Sequence, residues 1–81
     1  MDNTGFPMYR RSTNGLNWYR IDSWTEMHEV QRVGRRLITH HMRANLYPER
    51  VRIMALVQLE HGHVVECAAE EVEGMIRQAA G

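Results

Sequence analysis

Asn14-Gly15 constrains this chain more than any other dipeptide in it. A tight type I′ hairpin turn needs positive φ at both central residues, and Asn-Gly meets that need at the lowest steric cost. Tyr9, Trp18, Tyr19 and Ile21 flank the pair and favour strands on either side. The expected hairpin joins a strand near 8–13 to a strand near 16–21. Its register sets Thr13 opposite Leu16, Arg11 opposite Trp18 and Tyr9 opposite Arg20, with Met8 against Ile21 and Arg10 against Tyr19 on the alternate face. The pattern does not decide which face is buried. Residues 1–7 are polar, with Gly5, Pro7 and no period, and read as a flexible N-terminal segment. Residues 8–81 read as a single small α+β domain.

Ser23-Trp24-Thr25-Glu26 has the form of a helix-capping box. Met27, Val30, Gly34, Leu37, Ile38 and His41 follow at helical spacing, so a helix is expected to about residue 44. Asn45 suits a left-handed cap, and Pro48 forbids helix at Tyr47. In VRIMALVQL, Val51, Ile53, Ala55, Val57 and Leu59 alternate at period two, which reads as a strand. A helix starting at Pro48 is the competing reading. HVVECA is the expected return strand, across a loop Glu60-His61-Gly62 that sets Leu59 opposite His63, Val57 opposite Val65 and Ala55 opposite Cys67. The last segment has Val72, Met75, Ile76 and Ala79 on one face and Glu70 and Glu71 in its first turn, a short helix. The expected architecture is α+β in the order ββαββα. It is a two-layer sandwich, an antiparallel sheet from two hairpins with helices on one face.

The charge is unevenly laid out. Nine of the ten arginines lie in residues 1–52 against five acids, and residues 53–81 hold Arg77 against five glutamates, so a neutral total hides halves of +4 and −4. Such halves can pair internally or dock head to tail with a second copy. All ten basic residues are arginine, the composition of a GC-rich genome or of selection for bidentate guanidinium contacts. No apolar run approaches the roughly 18 residues of a membrane span, and the N-terminus has no apolar core of a signal peptide. One cysteine allows no internal disulfide and fits a reducing compartment. The expectation is a cytoplasmic protein of bacterial or phage origin, without membrane contact.

The histidines and Cys67 invite a metal reading that strand geometry opposes. His63 and Cys67 lie four residues apart on one expected strand, about 13 Å, against metal–ligand bonds of about 2.0–2.3 Å. His61 falls in the loop. His40 and His41 diverge on the expected helix, and His28 lies on its polar side. A strand cysteine among valines is poorly placed for a low thiol pKa. No phosphate loop, carboxylate pair or nucleophile elbow is present. No catalytic residue, metal ligand or cofactor is therefore expected.

Two surfaces remain. Tyr9, Arg11, Trp18 and Arg20 combine aromatic and guanidinium side chains, the composition of protein-interface hot spots. Arg32, Arg35, Arg36 and Arg43 form a stripe on the expected helix that can meet phosphates. The leading functional expectation is a small non-enzymatic interaction module or regulator, acting as a homodimer or on a larger protein partner. Its size and composition suit a phage or mobile-element product. Nucleic-acid binding through the arginine stripe is the alternative.

Overall fold

The computed structural model describes residues 2–60 and 62–81. Four strands come first: β1 (Met8–Ser12), β2 (Asn17–Ser23), β3 (Glu26–Val33) and β4 (Arg36–Arg43). Then follow α1 (Tyr47–Val57), β5 (Val64–Glu66) and α2 (Ala69–Ala80). The strands form one antiparallel sheet in the order β4-β3-β2-β1-β5. The α+β class stands, but the element order is ββββαβα.

The first hairpin keeps the expected register, from Met8 opposite Ile21 to Arg11 opposite Trp18. Its turn is different. Gly15 takes a φ of 75°, while Asn14 stays outside the positive-φ region. Gly15 N–H donates to Ser12 O, and Asn14 Oδ1 accepts from Leu16 N–H and Ser12 Oγ–H. The asparagine thus works as a side-chain acceptor that closes the turn.

The segment expected as a helix, residues 23–44, is a second hairpin. Ser23 pairs with Glu26 across Trp24-Thr25, and Ser23 Oγ accepts from Thr25 N–H, so the apparent capping box closes a strand turn. Gly34, with φ of 63°, and Arg35 form the two-residue loop between Val33 and Arg36. Glycine first and an ordinary residue second is the type II′ pattern, which matches strand twist. Helical spacing puts Gly34 on an apolar stripe, but its positive φ reverses the chain there.

VRIMALVQL, expected as a strand, is most of α1. Pro48 opens the helix rather than preventing it, because a first-turn proline lacks only an N–H that would be unpaired there. Glu49 Oε1 accepts from Leu46 N–H at 3.0 Å and supplies an N-terminal acid. At the other end Glu60 N–H reaches Ala55 O, and Leu59 takes the left-handed conformation with φ of 55°. The hairpin expected between residues 51 and 68 therefore does not form. β5 pairs with β1 instead, Ser12 opposite Val64, Arg11 opposite Val65 and Arg10 opposite Glu66. The loop position assigned to His61 lies outside the described residues.

The helices cover opposite faces of the sheet, so the fold has three layers and not two. Ile53 and Leu56 of α1 pack with Tyr19, Ile21, Met27 and Val64. Val72 of α2 packs with Trp18 and Val30. Neighbours along a strand point to opposite faces, so Trp18 and Tyr19 are both buried, one on each side. Neither face of the first hairpin is free. Asp2 and Phe6 lie against the β2–β3 turn: Trp24 Nε1–H donates to Asp2 O and Phe6 meets the Trp24 ring edge-on at 5.3 Å.

Arg10 ties the α1 layer to the sheet. It is 6% exposed, at the middle of β1. Its Nε–H donates to Leu56 O at 3.0 Å and its Nη2–H to Val57 O at 3.1 Å, both in the last turn of α1. That turn has no basic residue of its own. Arg10 supplies both the missing donors and the cation that a helix C-terminus favours. Arg10→Met is expected to lower unfolding stability by about 2–4 kcal/mol, since two charge-assisted hydrogen bonds are lost inside the fold. Leu59→Gly is expected to raise it by about 1 kcal/mol, the cost of a side chain in the left-handed region. Urea unfolding of both variants measures these opposite shifts.

Candidate protein-interaction surfaces

Tyr9, Arg11, Trp18 and Arg20 do come together, on the face that α2 covers. Arg11 pairs with Glu71 at 3.4 Å, and Trp18 Nε1–H donates to the same carboxylate at 3.0 Å. Tyr9 O–H donates to Glu73 Oε2 at 2.8 Å, and Arg20 Nη1–H to Glu73 Oε1 at 2.9 Å. Trp18 is 7% exposed. The two halves of opposite charge thus pair within the chain, and these four side chains hold α2 in place.

The polar network continues along the sheet. β2 carries a bulge at Asp22, between Ile21 and Ser23, so that this residue has no partner opposite it on β3. Its Oδ1 accepts from Arg20 Nε–H at 2.9 Å, and its Oδ2 meets His28 Nδ1 at 2.7 Å. The His28 ring lies flat against His41 of β4, 4.2 Å between centroids and 4° between planes. His41 Nε2 meets Glu26 Oε2 at 2.5 Å. An imidazole oriented by a carboxylate is half of a nucleophile-activating arrangement, but among the described residues no hydroxyl or thiol hydrogen-bonds to His28. Parallel rings also keep their in-plane lone pairs from converging on one ion. Among the described residues no group of three or more His, Cys, Asp and Glu is placed to hold a metal. Cys67 packs beside Trp18 and Val72, and burial pushes its thiol pKa up, away from thiolate chemistry.

The arginines expected on one helical stripe separate in the hairpin. On β4, Arg36 points to the α1 face and Arg43 to the α2 face, by strand alternation. Arg43 sits 3.8 Å from Glu26. Arg32 stacks over Trp18, with its Cζ 5.6 Å from the ring centroid. Arg35 and Arg36 stand exposed at the hairpin tip, without an acidic partner among the described residues.

Sequence reasoning missed β4 itself. It is one of the two edge strands of the sheet, eight residues long against three in β5, and its far edge pairs with no other described strand. Beside it, on the α1 face, an open cleft of about 370 Å³ is lined by Met27, Glu29, Gln31, His40, Met42 and Arg52. Glu29 is 8% exposed and doubly bonded, to Asn17 Nδ2–H at 2.7 Å and Arg52 Nη2–H at 3.2 Å. A usable signal exists in the sequence. Val30, Val33, Ile38 and Thr39 are β-branched on both sides of Gly34-Arg35, a hairpin signature that the helical spacing obscures.

No protein-family model, curated protein or solved structure matches this chain. No described helix is long and apolar enough to cross a membrane.

The α2 tether should depend on pH at both ends of the scale. Hydrogen bonding from Tyr9, aided by Arg20, holds the Glu73 carboxyl below its ordinary value, and the same bond raises the Tyr9 phenol. The stabilisation from Glu73 is present above the usual carboxylate pKa of about 4.3 and is lost as pH falls through its lowered folded value. That from Tyr9 is present below about 10 and is lost as pH rises through its raised value. Helical circular dichroism of the folded chain should fall in acid and above pH 10, and Glu73→Gln should remove most of the acid limb.

Proposed function

We propose that this chain is a non-enzymatic protein-interaction module that takes up an extended, acidic segment of a larger partner along β4. Addition of a strand to an exposed edge draws affinity from main-chain hydrogen bonds and specificity from alternate side chains. The observation that carries the reading is the outer edge of β4, unpaired over eight residues among the described ones. That strand holds Arg36, His40, His41 and Arg43 and no acid, and Arg35 stands just before it. Positive charge on an edge discourages pairing with another edge of the same kind.

That charge also favours a larger partner over a second copy. Antiparallel pairing of β4 with β4 of a second copy would line up two sets of Arg35, Arg36 and Arg43. Among the described acids only Glu26, already engaged by His41, stands near any of them. An acidic segment meets the same row with opposite charge. The nucleic-acid alternative needs its four arginines on one surface, and the hairpin distributes them over two faces and the tip.

A random peptide library selected against the immobilised full chain tests the proposal. The expected winners are strand-forming and net acidic, bind with micromolar affinity, and perturb backbone amide signals along β4. Lack of enrichment, or winners whose signals map to α1 or α2, would overturn it. Light scattering should find the free chain monomeric at high micromolar concentration.

A further inference from the structure

The cleft beside β4 has the shape and chemistry of a side-chain pocket for the added strand. Its floor is Met27 and Met42, unbranched side chains that adapt to what sits on them. Its polar walls are Arg52 from α1, Glu29 from β3 and His40 from β4. Glu29 does not face a ligand with free charge, because Asn17 and Arg52 each bond one of its oxygens. It acts instead as the strut that fixes the guanidinium. Arg52 uses one of its five N–H donors on Glu29, and its side chain remains 55% exposed. His40 lies directly opposite Glu29, on the face of β4 that borders the cleft. Arg36 lies further along that same face, and β4 contributes no acid to it.

We propose that this cleft is the specificity pocket of the β4 surface and takes one carboxylate side chain of the docked strand, held between Arg52 and His40. The inference rests on the β4 reading above. A strand added to the edge sends alternate side chains over the α1 face, and the one opposite His40 arrives within about 5 Å of it. A glutamate there spans to the outward edge of the Arg52 guanidinium. The planar fork of arginine accepts a carboxylate through two parallel hydrogen bonds, with the geometric selectivity that a point charge lacks. The pre-set position of Arg52 on Glu29 lowers the ordering cost of that contact.

The test uses the full chain and a library-selected peptide that NMR places along β4. Each acidic residue of the peptide is changed to its amide in turn, and affinity is read by fluorescence anisotropy. Glu→Gln at the position facing His40 is expected to weaken binding at least tenfold, and changes elsewhere less than threefold. In the Arg52→Gln protein the Glu and Gln peptides should bind alike. Retained binding of the Gln peptide to that variant shows that the fold and the β4 edge are intact. Equal losses at every acidic position, or tighter binding with lysine facing His40, would overturn the pocket and leave the β4 surface standing. A peptide that maps away from β4 would overturn both.

Discussion

The architecture depends on a buried cation with no buried anion to match it. Arg10 lies in the middle of β1, and its partners are the carbonyls of Leu56 and Val57 with Tyr9 O. Among the described residues no carboxylate forms an ion pair with it, although Glu66 stands opposite on β5. Burying a guanidinium is costly unless its donors are satisfied. Here the C-terminus of α1 satisfies them, and α1 in turn receives the positive end that its own last turn lacks. The helix is thereby fixed at a defined place across the sheet. From that place Ile53 and Leu56 fill the core, and Arg52 reaches Glu29. The cleft beside β4 exists because α1 stops short of the outer strand.

The other face is assembled by a different kind of force. α2 contributes one completely buried side chain, Val72, with Met75, Ile76 and Ala79 partly covered. Much of its attachment is polar, through Glu71 and Glu73 to Tyr9, Arg11, Trp18 and Arg20. Partly exposed ion pairs are individually weak and sensitive to salt. The α1 layer is thus held by apolar burial and the Arg10 cap, and the α2 layer by ion pairs that respond to pH and ionic strength. Beside β4 on the α1 face, Met27 and Met42 meet the main core.

Part of this fold is legible in the sequence. The first hairpin keeps its register because Asn14-Gly15 leaves few ways to reverse the chain there. α2 is legible because its apolar stripe and acidic first turn agree. Residues 23–44 are not, since Met27, Val30, Leu37 and Ile38 satisfy helical spacing as well as strand pairing. Gly34 separates the two readings only through its φ, which composition does not reveal. α1 is obscured by exposed Val51 and by Leu59 beyond its end, which complete a false period-two alternation with Ile53, Ala55 and Val57. The aromatic and arginine side chains of the first hairpin stand out in the sequence, but not the fact that the acidic helix covers them. β4 has a local strand signature, but its place at the edge of the sheet beside a cleft has none.

The sequence by itself determined the local steps: the reversal at Gly15, the pairing of β1 with β2, the amphipathic α2, and a division of charge that had to find an internal or external match. Tertiary structure decided the rest. It placed the helices on opposite faces, made Arg10 a helix cap, joined β5 to β1 and left β4 as the longer of two open edges. The reason is physical. Local sequence sets turn geometry and periodicity over a few residues. Which strand is left unpaired, and which arginine is buried, depends on contacts between distant segments, such as that of Arg10 with Val57, 47 residues further along the chain.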